Sequence, residues 1–177
     1  MLKNLVRGLA LICLTVLAVA PASAAELKVV KDVTIAASPD KVWAIIQNFS
    51  DLTWHPAVKS SSATDGNNKG SVRTLDLGGP KLIEQLVAYN ATKMNYTYKI
   101  TDDPANIKTM PVTKYTSTIA VKKGSGNTTV VTWSGKFLRA DPSPTPAAGM
   151  DDAAATKAIT GVYEGGLAGL KKKLEGS

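Results

Sequence analysis

The chain holds one cysteine and one histidine. Cys13 falls inside an apolar leader, so everything downstream lacks a thiolate, and His55 is the sole imidazole. These scarcities exclude much. No disulfide can form within the chain, and there is no C-x-x-C-H site for haem attachment. Zinc, copper and iron–sulfur centres draw on sets of Cys and His that are not there. A Ser-His-Asp triad would have to run through His55. The chain carries no electrons on ligands of its own, and no cofactor is expected.

Long apolar runs are also missing, except at the start. Lys3 and Arg7 precede the run Leu9–Ala20, and Ala22-Ser23-Ala24 forms an A-x-A site. The run is too short for a membrane anchor, and a processing site follows it. Residues 1–24 therefore read as a secretory signal peptide cleaved after Ala24, which directs the protein to the periplasm. Cys13 follows Ile12 in the middle of the run, the wrong context for a lipoprotein. No later segment is long enough to span a bilayer, so no transmembrane segment is expected in the mature protein. Residues 25–177 then form a single domain, able to bury roughly 68–70% of its unfolded surface.

Excess negative charge is absent too. The net charge is +7; Lys3 and Arg7 leave with the leader, and the remaining positives are scattered apart from Lys171–Lys173. A modest basic balance suits an acidic protein partner or an anionic membrane surface. No nucleic-acid recognition motif accompanies it, and no nucleic-acid partner is expected.

What the sequence does contain is organised around Asp151–Leu174. Ile159, Tyr163, Leu167, Leu170 and Leu174 recur at steps of four, four, three and four, one stripe of an α-helix. Asp151 and Asp152 at its start and Lys171–Lys173 at its end both favour the helix dipole. Gly161, Gly165 and Gly169 form a second stripe. Each glycine costs about 1 kcal/mol of helix propensity relative to Ala. Three on one face predict a close approach to a sheet or room for a ligand; the alternative is a glycine-rich helix tolerated by the tertiary fold.

Upstream, Glu26–Ala36 alternates as a strand with Leu27, Val29, Val33 and Ile35 on one face. Ser38-Pro39-Asp40 opens a short amphipathic helix, Pro39–Phe49. Strands are predicted near Ala57–Thr64, Gly70–Leu77, Lys81–Tyr89, Met94–Thr101, Pro111–Val121 and Thr128–Leu138, with turns at Gly66–Gly70, Gly78-Gly79, Asn90–Lys93, Asp102–Thr109 and Lys122–Asn127. Consecutive hairpins make an antiparallel meander. In the last hairpin, pairing Val121 with Thr129 would set Tyr115 opposite Gly135 and Ser117 opposite Trp133. Pro142, Pro144 and Pro146 mark an extended connection into the long helix.

Three groups of residues offer chemistry. Gly78-Gly79 is a strong two-residue turn. It pairs Asp76 with Lys81, Leu75 with Leu82 and Arg73 with Glu84, so two opposite-charge pairs support one register. Arg73 and Glu84 then share a face with Leu75, Leu77 and Leu82, as an internal salt bridge or as a polar anchor for a ligand. Trp54-His55-Pro56 holds the one group that titrates near neutrality; it is a structural or exposed residue, or a general base. Tyr96, Tyr98, Tyr115, Trp133 and Tyr163 are core residues or a cavity lining with hydroxyls turned toward a ligand. Gly124-Ser125-Gly126 opens no helix and so is not a phosphate loop. Asp102-Asp103 and Asp151-Asp152 lack the alternate spacing of a calcium loop, and no metal site is expected.

Ser38-Pro39-Asp40-Lys41-Val42-Trp43, Phe49 through Trp54-His55-Pro56, Gly70–Leu75, Glu84-Gln85-Leu86, Tyr96-Thr97-Tyr98, Trp133-Ser134-Gly135 and Gly161–Glu164 together resemble the SRPBCC superfamily, also labelled polyketide cyclase/dehydrase-like. The resemblance spans nearly all of residues 25–177. It implies an α+β, START-like helix-grip fold: a curved antiparallel sheet wrapped around a long C-terminal helix, with an apolar cavity between them. Cavity candidates are Trp54, His55, Arg73, Glu84, Tyr98, Tyr115, Trp133 and Tyr163. Within the superfamily, the leader and the W-H-P stretch look most like MxaD-type periplasmic accessory proteins of methanol oxidation. That implies a non-enzymatic protein assisting methanol dehydrogenase with its c-type cytochrome acceptor, and it brings no catalytic residues. The alternatives are a carrier of a small hydrophobic ligand, or a cyclase- or hydrolase-like enzyme acting through His55, Glu84 or a tyrosine.

Overall fold

The computed structural model describes residues 24–176. The predicted leader therefore lies outside the described residues, apart from Ala24. Strand β1 (Leu27–Ile35) and helix α1 (Pro39–Ile46) are followed by β2 (Ser60–Ala63), β3 (Val72–Asp76), β4 (Lys81–Asn90) and β5 (Asn95–Ile100). Helix α2 (Pro104–Thr109), β6 (Val112–Lys123), β7 (Thr129–Arg139) and the long α3 (Asp152–Glu175) complete the chain. The strands form one antiparallel sheet in the order β1-β7-β6-β5-β4-β3-β2. It curves around α3, the α+β helix-grip arrangement that the strand and helix order predicts. Among the described residues no helix is long and apolar enough to cross a membrane.

Helix α3 seats on β1 and β7. Ile159, Tyr163, Leu167 and Leu170 of its apolar stripe are buried, as their spacing requires. Burial of each such side chain contributes about 1.5–3 kcal/mol. The ends are fixed by polar contacts. Asp151 caps the first turn by accepting from the Ala154 N–H at 2.7 Å, and Gly176 closes the last in the left-handed region. Lys31 of β1 reaches Glu164 at 2.6 Å, and Glu175 accepts from the Ala36 N–H at 2.7 Å. At α1, Ser38 occupies the cap position but makes no side-chain cap bond, and the helix stops at Ile46 rather than Phe49.

The Gly78-Gly79 hairpin has the predicted register, with Arg73 opposite Glu84 and Asp76 opposite Lys81. The β6–β7 hairpin does not. Val121 faces Val131, Ser117 faces Gly135 and Ile119 faces Trp133. Pairing runs on to Lys123 and Thr129, which shortens the loop to Gly124–Thr128, where Thr128 hydrogen bonds back to Ser125 O at 2.7 Å. A two-residue shift leaves every side chain on its expected face. Tyr115 sits in an irregularity next to Lys114, whose φ is 49°.

The segment Asp102–Thr109 is a helix as well as a connection. Asp103 caps it through the Ala105 N–H at 2.8 Å, and Pro104 takes its first position. Its buried Asn106 accepts from the Ile83 N–H at 2.9 Å and donates to Thr101 O at 2.9 Å, which ties α2 to the sheet.

The glycine stripe of α3 divides between the two readings: Gly169 is a close approach, and Gly161 and Gly165 are not. A Cβ on Gly161 or Gly165 would meet nothing within 4 Å, so neither is there to admit the sheet. The close approaches are at Gly166, where a Cβ would lie 2.6 Å from both the His55 and Trp133 rings, and at Gly169, 2.6 Å from Pro56. Gly166→Ala is expected to destabilise by roughly 1–3 kcal/mol through overpacking against two rigid rings. Gly161→Ala and Gly165→Ala are expected to stabilise by about 0.5–1 kcal/mol each, because the added methyl meets open space and a helical glycine gains propensity as Ala. Denaturant unfolding of the three single variants checks both signs.

Candidate functional site

The site is built on the inner face of β3–β7, which alternation fixes. Leu75 and Arg73 on β3, Leu82, Glu84 and Leu86 on β4, and Tyr96 and Tyr98 on β5 all point inward and are buried. Arg73 is fully buried and Glu84 is 3% exposed. Arg73 donates to Glu84 Oε2 twice, from Nε at 2.9 Å and from a terminal nitrogen at 2.6 Å, and donates once to Phe49 O at 3.1 Å. Its guanidinium lies 4.3 Å from the Phe49 ring centre and 5.3 Å from that of Tyr98. Burial opposes its charge, but Glu84, with Tyr96 and Tyr98, outweighs this and holds the group above its ordinary range. Burial pushes the Glu84 carboxyl up, with Arg73 opposing.

A hydroxyl chain crosses from the sheet to α3. Tyr98 and Tyr115 Oη lie 3.3 Å apart, Tyr115 and Tyr163 Oη 2.9 Å, and Tyr163 Oη and Ser117 Oγ 2.9 Å. Trp133 Nε1 donates to Tyr98 and Ser117, both at 3.0 Å, and its ring stacks on Tyr163 at 4.8 Å. The Tyr163 hydroxyl occupies space that any side chain at position 135 would fill, which is why Gly135 lies beneath it. Burial holds Tyr98 and Tyr115 well above the ordinary phenol range and pushes Tyr163 up to about 12, so all three stay protonated.

His55 is enclosed by α3 and the sheet. Its Nδ1 accepts from the Ala57 N–H at 3.1 Å, so Nε2 carries the proton and donates to Val162 O at 2.9 Å. Both nitrogens are therefore committed, and a general base would have to break one of these bonds. Trp54, beside it, is buried against Trp133 at 5.8 Å, with its Nε1 unpartnered among the described residues.

Between these groups lies a cavity of about 60 Å³. Of the eight residues singled out from sequence, His55, Glu84, Tyr98, Tyr115 and Trp133 line it. Trp54, Arg73 and Tyr163 do not; they back its wall. The apolar lining includes Leu52, Val58, Met110 and Val162, which sequence reasoning missed. Ser117 was missed as the point where the hydroxyl chain ends; its place on the strand face with Tyr115 was the available signal. A second hollow of about 110 Å³, between α2 and β6, shares Ile100 and Tyr115 with the first. Its wall carries Asp102, Asp103 and Lys114 but no buried carboxylate, amine or imidazole. Among the described residues, no group of three or more His, Cys, Asp or Glu is placed to hold a metal ion.

The chain belongs to the family described as polyketide cyclase / dehydrase and lipid transport, whose model matches residues 26–175. No curated protein matches it. Among solved structures, it is 34% identical to the protein XoxI from Bacillus cereus, covering 84% of this chain and 95% of that one with a TM-score of 0.69. An uncharacterized protein from Bacillus thuringiensis is 33% identical, with 84% and 99% covered and a TM-score of 0.70. Norcoclaurine synthase from Thalictrum flavum, solved with dopamine and hydroxybenzaldehyde, shares the fold at 13% identity, with 87% and 89% covered and a TM-score of 0.65.

Burial holds the His55 imidazole below its ordinary pKa of 6.5. The stability contributed by the neutral ring is thus fully present above the unfolded value and is lost as pH falls through the folded one. Between pH 7 and 5.5, thermal stability is expected to fall, and His55→Gln to flatten that dependence. An NMR titration of the ring checks the direction independently.

Proposed function

We propose that the protein is a non-catalytic binder of a small apolar molecule, held between the sheet and α3 of an exported, periplasmic domain. The observation that supports this most directly is the cavity of about 60 Å³, with leucine, valine and tyrosine walls and one buried carboxylate at its edge. Size limits the occupant. An apolar cavity of roughly 150 Å³ accepts benzene, so the occupant here has only a few heavy atoms, well short of a lipid chain. The engaged ring of His55 and the paired carboxylate of Glu84 argue for holding rather than reacting. Xenon under pressure is expected to shift the NMR signals of Trp133, Tyr98 and Val162. Leu75→Phe, which fills the space, is expected to abolish those shifts. Shifts confined to other regions would count against the reading.

A second reading, an accessory protein for periplasmic methanol dehydrogenase and its c-type cytochrome, is favoured by charge. The chain carries a net +7, of which Lys3 and Arg7 belong to the predicted leader, and Lys172 and Lys173 are exposed at the end of α3. Association with an acidic partner through such a surface is salt-sensitive. Titration calorimetry against the dehydrogenase is expected to show binding that weakens with salt and is lost in the double variant Lys172→Glu, Lys173→Glu. Salt-independent binding, or none, removes this reading.

A further inference from the structure

The polar groups at the cavity divide unevenly between donors and acceptors. Ser117 Oγ donates to Ser134 O at 3.0 Å, so its proton is spent. Tyr163 must then donate to Ser117, and Tyr115 to Tyr163, each at 2.9 Å. Tyr98 in turn donates to Tyr115 at 3.3 Å. The Trp133 N–H is divided between Tyr98 and Ser117 at 3.0 Å, and the His55 N–H is held by Val162 O at 2.9 Å. With every bond made, the donors that border the cavity are all spent on the protein itself.

Acceptors remain. A phenolic oxygen has two lone pairs, and a carboxylate accepts at both oxygens. Arg73 places both of its bonds on Glu84 Oε2. Among the described residues Oε1 accepts none, yet it is not one of the sealed, unpartnered atoms, and the Glu84 side chain borders the cavity. Arg73 is charged at any physiological pH, and its burial keeps Glu84 as the carboxylate, since a protonated partner would strand the cation.

We propose that the cavity selects a small neutral hydrogen-bond donor, a compact alcohol whose hydroxyl is donated to Glu84 Oε1 while its carbons fill the leucine and tyrosine walls. This rests on the ligand-binding reading above. Charge completes the selection. Arg73 already neutralises Glu84, so an ionic ligand of either sign would add an unbalanced buried charge. A ketone of the same size offers only an acceptor and meets only acceptors.

Propan-2-ol and acetone are matched in size and differ in this one property. Titrated into the protein and followed by NMR, propan-2-ol is expected to bind roughly tenfold more tightly, since a hydrogen bond to a charged group sets the difference. It is also expected to move the Glu84 carboxyl carbon. Equal or tighter binding of acetone, or of isopropylammonium, overturns the proposal. So does xenon binding without an alcohol preference, which would leave the ligand-binding reading standing; failure of every probe removes both. Glu84→Gln keeps an oxygen for Arg73 and turns an amide N–H toward the cavity, so the alcohol preference should vanish or reverse. If that variant does not fold, an unmoved Glu84 carboxyl signal in the unaltered protein during the alcohol titration overturns the proposal by itself.

Discussion

The fully buried guanidinium of Arg73 is the constraint around which the inner face of the sheet is arranged. Removing such an ion from water costs several kcal/mol even after relaxation, and a buried pair survives only when its geometry is good and its remaining protons are satisfied. Here the requirements are met by elements far apart in sequence. Glu84 comes from the neighbouring strand, a carbonyl from Phe49 just past α1, and aromatic faces from Phe49 and Tyr98. Arg73 thereby ties β3, β4, β5 and the exit of α1 together. Both side-chain bonds from Arg73 fall on Glu84 Oε2, and Glu84 also borders the cavity, so a group that stabilises the fold is part of the cavity wall.

The hydroxyl chain does a parallel job between the sheet and α3. Three tyrosines and a serine, all buried, would each carry a desolvation cost of about 1–3 kcal/mol if left unpaired. Joined through Trp133 they satisfy one another and terminate on Ser134 O. Gly135 and Gly166 make the junction possible: one leaves room for the Tyr163 hydroxyl, the other for the rings of His55 and Trp133. The cavity is the space left where this polar seam and the leucines of β3 and β4 do not meet, which explains why it is small and why its walls are mixed.

How much of this was readable from sequence follows from the range of the interactions. The Gly78-Gly79 hairpin and its Arg73–Glu84 pair were legible because a two-residue turn fixes register locally. The β6–β7 hairpin was not, because a longer loop permits several registers of the same parity and the extra strand pairing decides between them. The apolar stripe of α3 was legible from period alone. Its glycines were legible only in part: Gly169 meets Pro56, Gly161 and Gly165 meet open space, and Gly166 lies off the stripe, because spacing shows which residues share a face but not what that face meets. Asp102–Thr109 read as a turn because its Asp-Pro start serves a turn as well as a helix; Asn106 decides for the helix by bonding the edge of β4 and the end of β5. The volume of the cavity was beyond sequence altogether, since it is a small difference between large packed volumes.

Fold likeness alone would leave enzyme and binder equally open, because one architecture hosts both. The distinction rests on what each ionisable group is free to do. A general base needs a lone pair turned toward substrate. His55 has none to spare: one nitrogen accepts a backbone N–H and the other donates to the α3 carbonyl of Val162. That second bond holds the ring against Gly166, one of the two close approaches of α3, so freeing it for proton transfer would loosen the packing around the cavity. Glu84 could take a proton only by stranding the cation it balances. The phenols are held protonated by burial, so none supplies a base near neutral pH. These commitments of His55, Glu84 and the phenols are what support the proposed reading of the site as one that holds a ligand.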